Sequence, residues 1–285
     1  MGDGMTMNVL FEDINALYAG KAAVPSEYTY YEYILDEKKR DEEGGREENI
    51  RYFTEQMKDL KIRRSILTKK EHRGLDFGIN AALRNRFEKI NRKKLTAFCH
   101  ENGVSENVVF LTAYNYCISL FSNEKDTVST SIHSGRTDSR WNRLAGPLFR
   151  TYYFRYTENK EETVAEMLKR SGRQIMETMR CYMSNLHADE MFFQYQGDIL
   201  NINTIGGYPA ERQRIQLDSL PFHLQVFSDD KGYYYELRYW ENRFDRDQLT
   251  VFMTCMERIV EAMLEEPSAR RLKSHLPENV FPKHY

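Results

Sequence analysis

Apolar positions recur at intervals of three and four from the first residues of the chain. Met7, Leu10, Phe11, Ile14, Leu17 and Tyr18 form one helical stripe, with Thr6 placed to cap its start and Gly20 its end. After Pro25, the run SEYTYYEYILDEKKR puts Tyr30, Tyr31, Ile34 and Leu35 on one side of a second helix. REENIRYFTEQMKDL does the same with Ile50, Phe53, Met57 and Leu60 in a third, and Gly44 and Gly45 separate the two. The segment from Lys61 to Gly74 is basic and has no sustained period, so it reads as a linker holding at most one short strand, with a domain boundary there. A helix through Arg92 to Glu101 ends at an Asn102-Gly103 turn. The next helix, capped by Ser105, is apolar on almost every side, the pattern of a buried helix.

Strand-like runs dominate the second half. DTVSTSIHSGR reads as a strand ending at Gly135, and LFRTYYFRYT as another after Gly146-Pro147. A long amphipathic helix follows, with Val164, Met167, Leu168, Ile175, Met176 and Met179 in its stripe, and then MFFQYQGDI as a strand. PFHLQVF and YYYELRYW, joined through SDDKG, give a hairpin in which Phe222, Leu224 and Val226 share a face. The final helix opens at Asp245 with Gln248 three residues on, a capping box, carries Leu249, Phe252, Met253, Met256, Ile259, Val260 and Met263, and stops before Pro267. Helices and strands are interspersed while the last strand pair is antiparallel, so the expected class is α+β, a mixed-sheet αβ sandwich rather than a doubly wound parallel sheet.

Composition narrows this further. With 285 residues, 41% of them hydrophobic, the chain can bury a sizeable core. Lys and Arg total 41 against 43 Asp and Glu, which argues against a nucleic-acid partner. The longest apolar-leaning stretch, Val108 to Phe121, is interrupted by Thr112, Asn115 and Ser119 and falls short of the roughly 20 residues that span a bilayer, so no membrane span is expected. MGDGMTMN lacks the layout of a secretory leader, and the expected location is the cytoplasm. Cys99, Cys117, Cys181 and Cys255 lie far apart and read as reduced, mostly buried thiols. The seven histidines never fall into a metal-ligand spacing, and no phosphate loop or nucleophile elbow occurs, so no metal is expected. Ser131, His133, Ser134 and Asp138 cluster at one strand end, a composition that arises by chance in loops. The basic stretch Arg84 to Lys94 and the acidic stretch Asp36 to Glu48 read as solvated faces.

Several segments then resemble the condensation domains of nonribosomal peptide synthetases. MGDGMTMNVLFEDINALYAG is similar to the stretch that begins inside that family's H-H-x-x-x-D-G motif, with Asp3 and Gly4 as its last two residues. YTYYEYI resembles the Y-x-D-[FY]-A-x-W segment, with Tyr30 where Asp is usual, and ENIRYFTEQMKDL the helix of the inter-lobe linker. SGRTDSRWNRLAGPLFRTYYFR resembles the G-R segment followed by v-G-x-F-v-N-t-x-x-x-R: Gly135, Arg136, Gly146, Thr151 and Arg155 fit, and Arg150 replaces the usual Asn. FFQYQGD, the hairpin and FDRDQLTVFMTCMERIVEAML are similar to the last strands and terminal helix. The two histidines of the motif are absent, and the stretch between Met179 and Phe192 is too short for the H-Q-D-x-P-F-E and R-D-x-S-x-x-P-L motifs.

The resemblance implies one lobe of a chloramphenicol acetyltransferase-like fold at residues 66–285, preceded by bridging helices at 1–65 that pack on a missing amino-terminal lobe. It implies amide-forming acyl transfer between thioesters held on the phosphopantetheine arms of carrier proteins, with no cofactor bound directly. No catalytic residue is expected in this chain: Asp3 is structural in the motif, Gly4 allows close approach of substrate, and Gly135, Arg136, Gly146, Thr151 and Arg155 are candidates for the substrate channel. The isolated chain is then inactive. Two alternatives stay open: a noncatalytic lobe that binds a carrier protein or itself, and a small-molecule acyltransferase assembled across subunits with His133 as base.

Overall fold

A computed structural model describes residues 2–60, 67, 78–181, 191–198, 204–210, 220–270 and 272. The basic linker and the boundary expected near residue 65 lie, apart from Leu67, outside the described residues.

Three helices come first: α1 (Gly4–Tyr18), α2 (Tyr30–Glu42) and α3 (Gly45–Gln56). The cap of α1 is Asp3, not Thr6. Asp3 and Thr6 form a reciprocal capping box, because an Asp at the N-cap accepts from the third helical N–H while the Thr side chain reaches back. At the other end Gly20 adopts φ +71 and its N–H donates to Leu17 O (3.0 Å), while Lys21 N–H donates to Ala16 O (2.9 Å), a Schellman closure. None of the α1 residues is buried: Met7, Leu10 and Leu17 face outward. Of the stripe expected on α2, Tyr31, Ile34 and Leu35 are exposed while Tyr30 packs inward, stacked on Tyr33, which is buried against Trp141, Leu144 and Leu148. In α3, Phe53 enters the main core whereas Ile50 faces outward.

The remaining elements build an αβ sandwich: β1 (Asn80–Arg86), α4 (Arg92–Asn102), α5 (Glu106–Ser122), β2 (Asp126–His133), β3 (Arg150–Thr157), α6 (Val164–Arg180), β4 (Phe192–Gly197), the small ribbon β5 (Thr204–Ile205) and β6 (Tyr208–Pro209), β7 (Phe222–Asp229), β8 (Gly232–Trp240) and α7 (Arg246–Glu265). The main sheet has the order β1-β8-β7-β4-β2-β3. Its centre is parallel, β4 pairing with both β2 and β7, and the other pairs are antiparallel. Strand β1 carries only one well-buried apolar side chain, Leu83, which explains why its sequence gives no strand signal. The hairpin β7–β8 turns on Asp230-Lys231 alone, because Asp229 already pairs with Gly232.

Helix α5 is the spine. Ser105 caps it, every residue from Val108 to Ile118 is buried, and it contacts α6, α7 and strands β2, β3 and β4. The α7 stripe from Leu249 to Met263 is buried as the periodicity predicts. In α6 Met176 faces outward, and Ser171 and Thr178 are buried alongside Val164, Met167, Leu168 and Ile175.

The two faces of the sheet differ in chemistry. Register aligns Leu83, Leu237, Leu224 and Phe193 in one apolar row across four strands, and the Phe193 ring lies 5.2 Å from that of Tyr114 on α5. One residue along, on the opposite face, the aligned row is Arg84, Glu236, Gln225 and Gln194. Glu236 is 2% exposed, and it accepts from Arg84 Nε (2.8 Å) and Arg238 Nε (2.6 Å). Burial pushes its carboxyl pKa up, but the two guanidinium groups override this and hold it down at about 2.

Substituting Glu236→Gln is therefore expected to lower stability by roughly 3 kcal/mol near neutral pH, measured by urea denaturation, since it removes the buried charge that Arg84 and Arg238 share. The carboxylate's contribution is complete above its ordinary value of 4.5 and disappears as pH falls toward 2, so the gap between wild type and variant should close over that window.

Candidate functional site

The loop between β2 and β3 meets the amino-terminal helices, and the meeting is polar. Asp3 sits at its centre. Its Oδ1 accepts from Thr6 N–H (2.9 Å) and Arg136 Nη2 (3.0 Å), and its Oδ2 from Arg136 Nη1 (2.7 Å) and Leu148 N–H (3.0 Å). The side chains of Arg136 and Asp3 are 2% and 6% exposed, so this bidentate pair is shielded from water and is of the strong kind. Burial raises the Asp3 pKa, yet Arg136, with the N–H groups of Thr6 and Leu148, outweighs it and leaves the carboxyl below its ordinary value.

Two glycines shape the loop around this pair. Gly135 adopts φ +70 and a Cβ there would lie 1.7 Å from Leu148 O, so no other residue fits. Gly146 donates to Thr6 Oγ1 (3.0 Å), and a Cβ on it would meet the Tyr30 ring at 2.3 Å. Thr6 Oγ1 also donates, within reach of both Asp3 Oδ1 (2.9 Å) and Gly146 O (3.0 Å). Arg136 Nη2 further donates to Leu144 O (2.9 Å). Gly4 opens α1 and is exposed.

Of the residues singled out in the sequence, Asp3, Gly135, Arg136 and Gly146 converge here, with Gly4 beside them. Thr151 and Arg155 do not join them. They lie on β3, half-buried, on the strand face that carries Tyr153, whose ring meets Phe53 of α3. Arg155 pairs with Asp126 and donates to Gln56 O (2.8 Å) and Lys58 O (2.9 Å), where it terminates α3. His133 turns inward: Gly135 N–H donates to its Nδ1 (3.1 Å) and its Nε2 is buried.

No local pattern marks the partners that complete the junction. Arg143 donates to Glu12 (2.8 Å), to Asp13 and to Val24 O (3.3 Å); Arg150 pairs with Glu37 (2.8 Å) and lies over the Tyr33 ring. On the other side of α1, Asn15 Oδ1 accepts from Gly206 N–H (2.6 Å) in the β5–β6 turn, and Tyr18 covers that glycine. The basic stretch of the sequence is neutralised internally to a large extent: Arg84 pairs with Glu236, Arg86 with Asp229 and Lys94 with Glu265. All four cysteines are buried free thiols, and burial pushes Cys99 up to about 12. Among the described residues no cluster of His, Cys, Asp or Glu is arranged to hold a metal, and no helix is long and apolar enough to cross a membrane.

The family profile described as "Condensation domain" matches residues 1–280. The chain belongs to the condensation-domain family. Solved structures agree in fold at low sequence identity. A four-domain nonribosomal peptide synthetase bound to AMP and glycine matches with a TM-score of 0.77 and 12% identity over 94% of this chain and 23% of that one. A cyclization-docking bidomain of a nonribosomal peptide synthetase from Sorangium cellulosum gives 0.74 and 14% over 95% and 59%. The X-domain from teicoplanin biosynthesis gives 0.68 and 16% over 94% and 68%. This condensation-domain chain thus spans less than two thirds of the first two of these chains. No curated protein matches it.

In this condensation domain, Arg136→Gln is expected to undock the start of α1, because Asp3 would keep its burial and lose its cation. Cleavage after Glu12 by a glutamate-specific protease should accelerate about tenfold or more, as expected when a docked helix frays locally, with the α5–α7 core intact by circular dichroism.

Proposed function

We propose that the chain supplies the carboxy-terminal lobe, residues 66–285, and the bridging helices, residues 1–65, of a nonribosomal peptide synthetase condensation domain that forms amides by acyl transfer between carrier-bound thioesters. The observation that carries this reading is the buried Asp3–Arg136 pair, which joins the D-G of the first motif to the G-R of the second. The residues that fit those motifs are brought together across a separation of 133 positions. Gly135, Arg136 and Gly146 then form the floor against which a substrate channel runs, and Thr151 and Arg155 line its continuation along β3. The donor and acceptor arrive on the phosphopantetheine arms of carrier proteins, so the chain itself binds no cofactor.

The general base belongs to the His-His pair of the motif, which the chain lacks before Asp3. A positioned base typically contributes 10²- to 10⁴-fold to such a transfer. The isolated chain is accordingly inactive and gains activity when an amino-terminal lobe is supplied. A reading in which His133 serves as the base of an acyltransferase built across subunits is disfavoured by its position, since Nδ1 is already taken by Gly135 N–H and Nε2 is buried.

A second reading has its own support. The outward-facing Met7, Leu10 and Leu17 of α1 with Tyr31, Ile34 and Leu35 of α2 suit a noncatalytic lobe that binds a carrier protein or self-associates. One experiment separates the readings: intact-mass detection of amide product between two loaded carrier proteins, with and without a supplied amino-terminal lobe. Product only with the added lobe is the expected result. Product from the chain alone would overturn the assignment of inactivity, and none under either condition, with concentration-dependent association by sedimentation, would favour the noncatalytic lobe.

A further inference from the structure

Strand β2 ends on His133, and there the imidazole does what the side-chain carbonyl of Asn or Asp does in an Asx turn. Its Nδ1 accepts the N–H of Gly135, two residues on, at 3.1 Å. Because Nδ1 is the acceptor in this bond, the ring is neutral with its proton on Nε2. The turn so formed is tight: Gly135 has φ +70 and runs against Leu148 O. The next residue, Arg136, leaves it toward Asp3 and Leu144 O. Leu148 in turn gives its N–H to Asp3. The imidazole therefore holds the turn from which Arg136 departs toward α1.

The rest of the ring is packed among three elements. The Tyr152 ring of β3 lies 5.7 Å from it, centroid to centroid, Ser131 of β2 is fully buried on the same strand face, and the backbone at Thr178 of α6 lies against it. The cation opposite in register is Arg150, already engaged with Glu37. Burial among these groups, partly opposed by the Thr178 backbone, lowers the imidazole pKa to about 4.

We propose that His133 is the positioning residue of the Asp3–Arg136 junction: its neutral imidazole sets the turn that aims Arg136 at the start of α1. Its bearing on acyl transfer rests on the function proposed above, while the device itself rests on this local geometry. A His whose folded value lies at about 4 rather than 6.5 stabilises the fold above 6.5 and loses that contribution as pH falls toward 4. The junction should loosen over that window.

The test compares His133→Leu, which removes the acceptor, with His133→Asn, whose Oδ1 stands where Nδ1 stood, by hydrogen exchange and mass spectrometry of the full chain. His133→Leu is expected to speed exchange of residues 134–137 and of α1 about tenfold, the worth of one such hydrogen bond, leaving α5 and α7 unchanged. His133→Asn should keep both segments protected and should remove the loosening of α1 between pH 6.5 and 4. Parent-like exchange in His133→Leu, equal local loosening in both variants, or loosening that spreads to α5 and α7 would each overturn the proposal. The readout needs neither carrier proteins nor a second lobe, so an absence of amide synthesis leaves it unaffected.

Discussion

One carboxylate decides how the first helix of this protein is attached to the rest. Asp3 caps α1, receives both nitrogens of Arg136 and takes the N–H of Leu148, so a single side chain starts a helix and fastens it to a loop 133 residues away. It is the first of a series. Arg143 reaches α1 and the segment after it, Arg150 reaches α2, and Arg155 closes α3. Four arginines between positions 136 and 155 thus hold three successive helices that contribute few side chains to the core. Attachment by charge and backbone carbonyls fixes orientation more sharply than apolar contact does, because a guanidinium fork accepts only a narrow range of partner geometry.

The sheet separates two tasks in the same way. Its helix-facing rows are leucine and aromatic, and supply the burial that pins α5, α6 and α7. Its other face carries Arg84, Glu236, Arg238, Gln225, Gln194 and His223, cross-linked within the face, with Glu236 held ionised although it is almost fully buried. Stability comes chiefly from apolar burial on one side, while the other is held together by hydrogen bonds and ion pairs.

Much of this was legible in the sequence because the strongest patterns are local. The α7 stripe, the all-round apolar α5, the cap at Ser105 and the shared face of Phe222, Leu224 and Val226 all rest on spacing within one element, and all hold. The misplacements have one cause. Periodicity states which residues share a face but not what that face meets, so most of the α1 and α2 stripes point outward, and Tyr33, outside the expected stripe, is the fully buried residue of α2. In the site, Asp3, Gly135, Arg136 and Gly146 were visible through their likeness to family motifs. Glu37 and Arg143 were not, because each pairs with a residue more than a hundred positions away and such pairs leave no mark on their neighbours in sequence; Thr6 was legible as a helix cap, but its bond to Gly146 was hidden for the same reason.

The separation between Asp3 and Arg136 also orders events during synthesis. A ribosome adds residues at roughly 5–20 per second, so the 133 residues between the two take on the order of ten seconds to make. Throughout that interval α1 has been made but the loop that holds it has not, so the Asp3 carboxylate stays without the guanidinium that will cover it. Helix α1 is therefore made well before the loop that fastens it, and the junction is set by the later of its two halves.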